Sequence, residues 1–287
     1  MKKKIIIGTA QFGMKYGVSK KSICPSPEQK KIIKFSLKNK NFYFDTSPYY
    51  VKNNNFFKRL RGNKIKIIFK LNADDLLNKL KKFDNDFNKF KINFLNKYSK
   101  QIEVILIYNF EEITHKDKKS VYKFLNLLKQ KKIIKQYGYS TYNLKKIKKF
   151  CKVFKPDIIQ CPFNIIDTRL YKHGYLEFFK KLNIKIHVRS IFLQGLLLME
   201  KKQISKNLKN KKTLNKWFDW IEMNNMNPSF LCCNFVSFFK QIDKFVIGFH
   251  NVKQMKEIFN FKYNKKYMKL PCFTSSDLSL IHPGKWK

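Results

Sequence analysis

The stretch FYFDTSPYY at residues 42–50 is the most informative part of this chain of 287 residues. Its aromatic residues predict a buried strand that ends in Asp45, and Tyr50 follows five residues later. The next two apolar runs end in Lys70 and Tyr108. The carboxyl ends of parallel strands in one barrel meet at one mouth. The pattern therefore predicts that an acid, two phenols and an ammonium lie together there.

Eight short apolar runs alternate with longer amphipathic segments along the chain. Runs rich in Ile, Val and Phe are typical of strands that are buried on both faces of a parallel sheet. With no Pro/Gly/Ser linker, the alternation predicts one domain over residues 1–287, an α/β fold of the (β/α)8 TIM-barrel class. The predicted strands are residues 4–8, 42–45, 65–70, 102–108, 134–140, 157–161, 184–190 and 244–249.

Helical spacing fills the segments between these strands. The sequence Ser-Pro-Glu at residues 26–28 predicts a helix start, with Ser26 as the capping residue and a proline in the first turn. We expect residues 191–243 to form a loop and extra helices over the mouth. Apolar stripes at a helical period run through residues 76–94, 121–128, 178–182 and 217–221.

The chain carries 62 Lys and Arg against 19 Asp and Glu, for a net charge of +43. Such a charge suits a protein that binds nucleic acid or an anionic membrane surface. The lysines are spread over every predicted helix, however, and specific binding of nucleic acid needs a localised basic footprint. We therefore expect no specific nucleic-acid partner and no membrane partner, and keep polyanion binding as a competing hypothesis.

The six cysteines include no Cys-x-x-Cys pair, and with the five histidines they give no zinc spacing. They predict reduced, mostly buried thiols in a cytoplasmic protein without a metal. The apolar run after Lys4 is three residues long, which is typical of a strand rather than of a signal peptide. The longest later run contains Gln194 and Gly195 and is too polar to span a bilayer. The oligomeric state stays open.

Three of the polar strand ends suit the reduction of a carbonyl, which needs a hydride donor and an acid beside the carbonyl oxygen. A free tyrosine has a pKa near ~10, and a neighbouring ammonium lowers the pKa of a phenol. This chemistry assigns Tyr50 as the acid and Lys70 as the group that tunes it. Asp45 would hold Lys70 in place, since an unpaired buried ammonium is costly.

Several motifs in order resemble the aldo/keto reductase superfamily over nearly the whole chain. RSIFLQGLL at residues 189–197 is similar to a bacterial branch that is often met near surface-polysaccharide sugar pathways. The other matching pieces are GTAQFG at 8–13, GYST at 138–141, QCPFN at 160–164, and Gly248–His250 with Gln254 and Glu257.

The resemblance implies a metal-free reductase that uses NADPH, with NADH left open, on a small-molecule carbonyl substrate. Ser140, Thr141 and Gln160 would hold the carboxamide of the nicotinamide. The remaining cofactor contacts that the resemblance implies are Thr9 in the opening loop, Ser190, Leu193 and Gly195 along the pyrophosphate, and Gly248, His250 and Gln254 at the adenosine end.

The chain departs from the family pattern at the chemistry itself, because Tyr108 stands where the family usually has histidine. A tyrosine can donate one hydrogen bond to a carbonyl oxygen but cannot act as an imidazolium. Val51, Asn53 and Asn54 replace the usual Gly and Ser-Glu, and Ile258 replaces a common asparagine. Two hypotheses follow: an NAD(P)H-dependent reductase of a carbonyl compound, sugar-derived compounds included, or a cofactor-binding relative with weak or no turnover.

Overall fold

The computed structural model describes residues 2–18, 23–50, 64–82, 101–204, 208, 211–264 and 271–286. Within these residues, eight parallel strands close into a barrel in sequence order, with β1 paired to β8. The predicted (β/α)8 barrel is therefore confirmed. The strands are β1 Ile5–Gly8, β2 Tyr43–Thr46, β3 Lys66–Asn72, β4 Ile102–Tyr108, β5 Gln136–Ser140, β6 Ile158–Pro162, β7 Lys185–Arg189 and β8 Lys244–Gly248.

The strand boundaries differ from the predicted ones by at most two residues. The difference that matters is in β3, which was expected to end at Lys70 but continues to Asn72. It continues because Leu71 and Asn72 pair with Ile107 and Tyr108 of β4. Lys70 therefore lies inside the barrel, below its rim.

The helices lie between the strands and after β7. The helix that was predicted from residue 26 begins at Ser26, but Pro25 precedes it and no side chain caps it, so the expected serine cap is wrong. Beyond residue 82, the predicted 76–94 stripe runs into residues that lie outside the described ones. The α-helices are α1 Ala10–Gly13, α2 Ser26–Lys38, α3 Ala73–Lys82, α4 His115–Gln130, α5 Leu144–Phe150, α6 Arg169–Lys172, α7 Tyr175–Lys181, α8 Lys212–Met223, α9 Pro228–Phe238, α10 Val252–Asn260 and α11 Leu278–Ile281.

Alternation along the strands gives the barrel an apolar floor and a polar layer above it. Five aliphatic residues pack together as a separate cluster: Ile6, Ile68, Val104, Leu106 and Ile158. Successive side chains of a strand point to opposite faces, so the residue two positions further along points the same way. Two positions beyond Ile68 is Lys70, and two beyond Ile158 is Gln160. Lys70 and Gln160 therefore lie above the apolar cluster, toward the carboxyl-terminal mouth.

A second apolar cluster lies beyond the strands, mostly on the segments that follow β7. Its members include residues of a 3-10 helix at Leu193–Leu198, of α8 and α9, of the segment after β6, and the C-terminal residues Phe273, Leu280 and Ile281. The indole of Trp217 donates to the Leu197 carbonyl at 3.1 Å and ties α8 to the 3-10 helix. The extra helices that were expected between residues 191 and 243 are therefore confirmed.

All six cysteines are free, and only Cys272 is exposed. Burial raises the pKa of Cys151, Cys161 and Cys233 to about 12, so these thiols are protonated at neutral pH. In the part of the chain that the structure describes, no helix is both long and apolar enough to cross a membrane.

His187 of β7 is a buried histidine that folding keeps neutral. It is 5% exposed, and its Nδ1 has no hydrogen-bond partner. Burial lowers its pKa to about 3. Because the unfolded chain binds a proton near pH ~6.5 and the folded chain does not, stability is lost as the pH falls below that value. We expect unfolding by urea to show a loss of roughly 2 kcal/mol between about pH 7.5 and about pH 5 from this group.

The matched variant is His187→Gln, which keeps a polar side chain that does not titrate. Its free energy of unfolding should fall less steeply than that of the wild type over the same pH interval. Equal slopes for the two proteins would show that His187 does not couple folding to pH.

Candidate active site

A buried ion pair sits in the polar layer at the barrel mouth. The Nζ of Lys70 lies 2.6 Å from Oδ1 of Asp45, and the two side chains are 9% and 2% exposed. Gln160 donates through Nε2 to the other oxygen of Asp45 at 2.9 Å. Lys70 also donates to Oε1 of Gln160 at 3.5 Å. The three side chains hold one another in fixed positions, as a buried charge requires.

The environment of Lys70 keeps its ammonium charged. Burial alone lowers the pKa of this lysine, but the negative charges of Asp45 and of an ionised Tyr50 act in the opposite direction, and the net effect raises the pKa. A protonated lysine in this position favours any negative charge that develops beside it.

Tyr50 lies beside this ammonium, at the end of the turn that follows β2. Its backbone N–H donates to the Ser47 carbonyl at 3.0 Å, which closes the turn around Pro48. The centre of its ring is 5.4 Å from Nζ of Lys70. The edge of the ring meets Tyr16, with 6.3 Å between centroids. The cation thus lies against the ring of Tyr50.

Tyr108 lies higher in the mouth than Lys70, because Lys70 pairs with Leu106 and Tyr108 with Asn72. Its ring meets that of Tyr49 edge to face, with 6.4 Å between centroids, and burial, the largest influence, raises its pKa. Tyr49 donates to Oδ2 of Asp75 at 2.7 Å. The phenol of Tyr108 thus packs against a second tyrosine whose hydroxyl is bonded to a carboxylate.

One cavity of about 1440 Å³ contains the four predicted catalytic residues. Pockets for drug-sized ligands measure roughly 300–1,000 Å³, so this cavity has room for a dinucleotide and a small substrate together. The predicted cofactor residues that line it are Thr9, Ser140, Ser190, Gly195, Gly248, His250 and Gln254.

Three predicted cofactor residues do not line this cavity. The hydroxyl of Thr141 is hydrogen-bonded to the carboxylate of Glu111 and is buried, so it is already engaged. Gln160 is fully buried, and its amide is engaged with Asp45 and Lys70. Leu193 is buried in the second apolar cluster. Of the three residues expected at the carboxamide, only Ser140 faces the cavity.

The backbone conformation of Gly248 and of the turn after β7 shapes part of the cavity wall. A Cβ at Gly248 would lie 2.2 Å from Oε1 of Gln11, so only glycine lets that amide lie over the strand end. Ser190 and Gly195 both adopt positive φ, at 57° and 91°, which turns the chain sharply after β7. These residues fit a ligand that approaches the backbone closely.

At the start of α10, where a phosphate was expected, the backbone amides are already hydrogen-bonded. They donate to side chains: Gln254 N–H to Asn251 at 2.9 Å and Val252 N–H to Glu28 at 2.9 Å. The His250 N–H donates to the side chain of Gln254 at 2.9 Å. These three amides are therefore already engaged within the protein.

Sequence reasoning assigned no role to three residues of the wall: Tyr16, Tyr142 and Arg189. Arg189 ends β7, and the rule that selects polar strand ends includes it. Tyr16 and Tyr142 lie in loops and carried no sequence signal. Among the described residues, no group of three or more His, Cys, Asp or Glu could hold a metal ion.

Comparison with known proteins agrees with this architecture. Residues 4–269 match the Aldo/keto reductase family. A holo-form aldo-keto reductase from Bacillus halodurans is 15% identical, with 92% of this chain and 88% of that chain covered and a TM-score of 0.68. The glycerol dehydrogenase of Gluconobacter oxydans is 14% identical, with the same coverage and a TM-score of 0.65.

A third solved structure is an aldo-keto reductase from a Medee basin deep-sea metagenome library, 16% identical, with 92% and 88% covered and a TM-score of 0.61. A search of the curated proteins gave no match. At these identities the solved structures show the fold, and the family match over most of the chain shows the relationship. The chain belongs to the aldo/keto reductase family and is an oxidoreductase.

Proposed function

We propose that the protein reduces a small carbonyl compound to an alcohol with NAD(P)H, and that Tyr50 donates the proton. Sugar-derived aldehydes and ketones are among the candidate substrates, and NADPH is the expected cofactor. The observation that carries the proposal is the 2.6 Å ion pair of Lys70 and Asp45 beside the ring of Tyr50. We also propose one barrel domain over residues 1–287 and a cytoplasmic location, which suits the free thiols.

The chemistry divides between the cofactor and the chain. When bound, the dihydronicotinamide supplies a hydride to the carbonyl carbon. The Tyr50 hydroxyl donates its proton to the carbonyl oxygen, and Lys70 stabilises the phenolate that remains. Asp45 holds the ammonium, and a proton from solvent restores Tyr50. Ser140, at the carboxamide, and the close-approach backbone of Ser190, Gly195 and Gly248 are the residues that would hold the cofactor.

The first test is a fluorescence titration of the purified protein with NADPH and with NADH, followed by turnover on a panel of carbonyl compounds. We expect binding of a nicotinamide cofactor and its oxidation by at least one carbonyl compound. Binding without turnover would instead favour a cofactor-binding relative. Failure of both cofactors to bind would contradict both functions.

Replacing Tyr108 with histidine tests whether the phenol weakens the site. An imidazole can both donate to the carbonyl oxygen and carry a proton, so we expect kcat/KM to rise by roughly tenfold. Steady-state rates on the best carbonyl of the panel measure the change, with Tyr108→Phe as the variant that can do neither. If histidine gives no rise, Tyr108 is adapted to its substrate rather than a defect.

A further inference from the structure

Arg189 is a cation in the catalytic cavity, and among the described residues it has no acidic partner. It ends β7 two positions after the inward-facing His187, so it points into the mouth. Its Cζ lies 4.0 Å from the centre of the Tyr142 ring, and its Nη2 donates weakly to the Thr141 carbonyl at 3.4 Å. No carboxylate of the described residues lies within ion-pairing distance of it.

A second arginine of the same wall shows the contrast. Arg169 is held by both oxygens of Asp167, at 2.8 and 2.9 Å. It also donates to the Tyr142 carbonyl at 3.4 Å, so both arginines contact the loop that follows β5. Asp167 compensates the charge of Arg169, while the charge of Arg189 is left facing the cavity.

The two cations at the mouth differ in their partners. Arg189 interacts electrostatically with Lys70 and with Tyr50, which places it near the reacting groups. Lys70 is paired with Asp45, whereas Arg189 is paired with no carboxylate of the described residues. A charge removed from water is costly unless an opposite charge accompanies it. A ligand that brings a negative charge would supply the partner that Arg189 lacks.

We propose that Arg189 binds an anionic group, a carboxylate or a phosphate, that the carbonyl substrate carries. The inference rests on the proposed reduction, since it places that group next to the carbonyl that faces Tyr50. The planar guanidinium can donate two parallel hydrogen bonds to such a group. Tyr142 lies against the guanidinium and is itself stacked on His282 at 4.0 Å between centroids, which holds the fork in one orientation.

The cofactor's own phosphates are the other source of such an anion. The next residue, Ser190, is expected along the pyrophosphate, but Arg189 interacts with Tyr50 and Lys70, where the nicotinamide ring is expected, and that ring carries no phosphate. The substrate is therefore the better match. The dissociation constant of NADPH for an Arg189 variant separates the two sources.

The experiment compares matched substrates in the wild type and in Arg189→Gln. Phenylglyoxylate and its methyl ester differ in one negative charge, and glyceraldehyde 3-phosphate and glyceraldehyde differ in a phosphate. For at least one pair, we expect the wild type to prefer the anion. Arg189→Gln should reduce that preference in kcat/KM by roughly 10- to 100-fold, mainly through KM, because a charge-assisted pair is lost.

Two further variants test whether the planar guanidinium of Arg189, rather than positive charge in general, gives the preference. Arg189→Lys keeps the cation but loses the planar fork, so its preference should be intermediate. Lys145→Gln removes an exposed positive charge from the rim of the same cavity and should leave the preference unchanged. Thermal unfolding of each variant checks that it is folded.

Three results would overturn the proposal: no preference for either anion, an equal loss on the charged and neutral members of a pair, or weaker NADPH binding in place of a substrate effect. If no carbonyl is reduced at all, the proposed function fails, and binding of benzoate and of inorganic phosphate still tests the site. We expect calorimetry to show roughly tenfold weaker binding of one of them to Arg189→Gln. Equal binding of both would contradict an anion site.

Discussion

Tyr50→Phe should lower kcat for carbonyl reduction by roughly 10²- to 10⁴-fold, the contribution typical of a positioned general acid. Phenylalanine keeps the ring beside Lys70 and removes only the hydroxyl, so the site should keep its shape. The dissociation constant of NADPH should stay within about threefold, because proton donation is not part of cofactor binding. Stopped-flow oxidation of bound cofactor measures the chemical step directly.

The matched control is Tyr43→Phe, which removes a hydroxyl from the first residue of β2, the strand that precedes Tyr50. Its rate should equal that of the wild type. An unchanged rate in Tyr50→Phe would remove Tyr50 from the mechanism. A loss that is equally large in both variants would indicate damage to β2 rather than a missing acid.

Asp45→Asn should be the most destabilising single change at the mouth. It leaves the Lys70 side chain, which is 9% exposed, without a carboxylate. Removing one partner of a buried ion pair costs about 3–5 kcal/mol. We expect urea unfolding to show a loss of that size, together with a loss of turnover.

The double variant Asp45→Asn/Lys70→Met separates the two effects. Removing the lysine as well takes away the unpaired charge, so part of the stability should return while turnover stays lost. A single variant that loses less than about 1 kcal/mol would contradict a buried, charged Lys70. So would a double variant no more stable than the single one.

Much of this fold could be predicted because the strands are buried on both faces. Continuous apolar runs such as IEVILIY at residues 102–108 permit little besides a central strand, and this one was predicted with the correct ends. The acid and tyrosine of residues 45–50 follow such a run directly. Strand order in a (β/α)8 barrel then places them near Lys70 without further information.

The details that failed depend on partners that the sequence does not reveal. The end of β3 is set by its pairing with β4. The position of Lys70 below the rim therefore could not be predicted from the sequence of β3 alone. The side chain of Thr141 is directed by Glu111, thirty positions earlier. That Arg189 has no acidic partner among the described residues is likewise a three-dimensional property, because the sequence does not show which basic residues are paired.

The replacements at Val51, Asn53 and Asn54 concern the entrance to the site, and they lie outside the described residues. The outcome at Tyr108 is the more instructive one. Its identity was visible in the sequence, but its contact with the ring of Tyr49 depends on the neighbouring turn. The Tyr108→His comparison tests whether a phenol in this place weakens the reduction.

The proposed transfer of a hydride from NADPH to a carbonyl carbon is tested most directly with a labelled cofactor. NADPH deuterated at the transferable position of the nicotinamide is incubated with the protein and a reducible carbonyl, and mass spectrometry locates the label in the product. We expect deuterium on the carbinol carbon with the wild type and almost none with Tyr50→Phe. Cofactor that binds but delivers no deuterium to any carbonyl would contradict the proposed transfer.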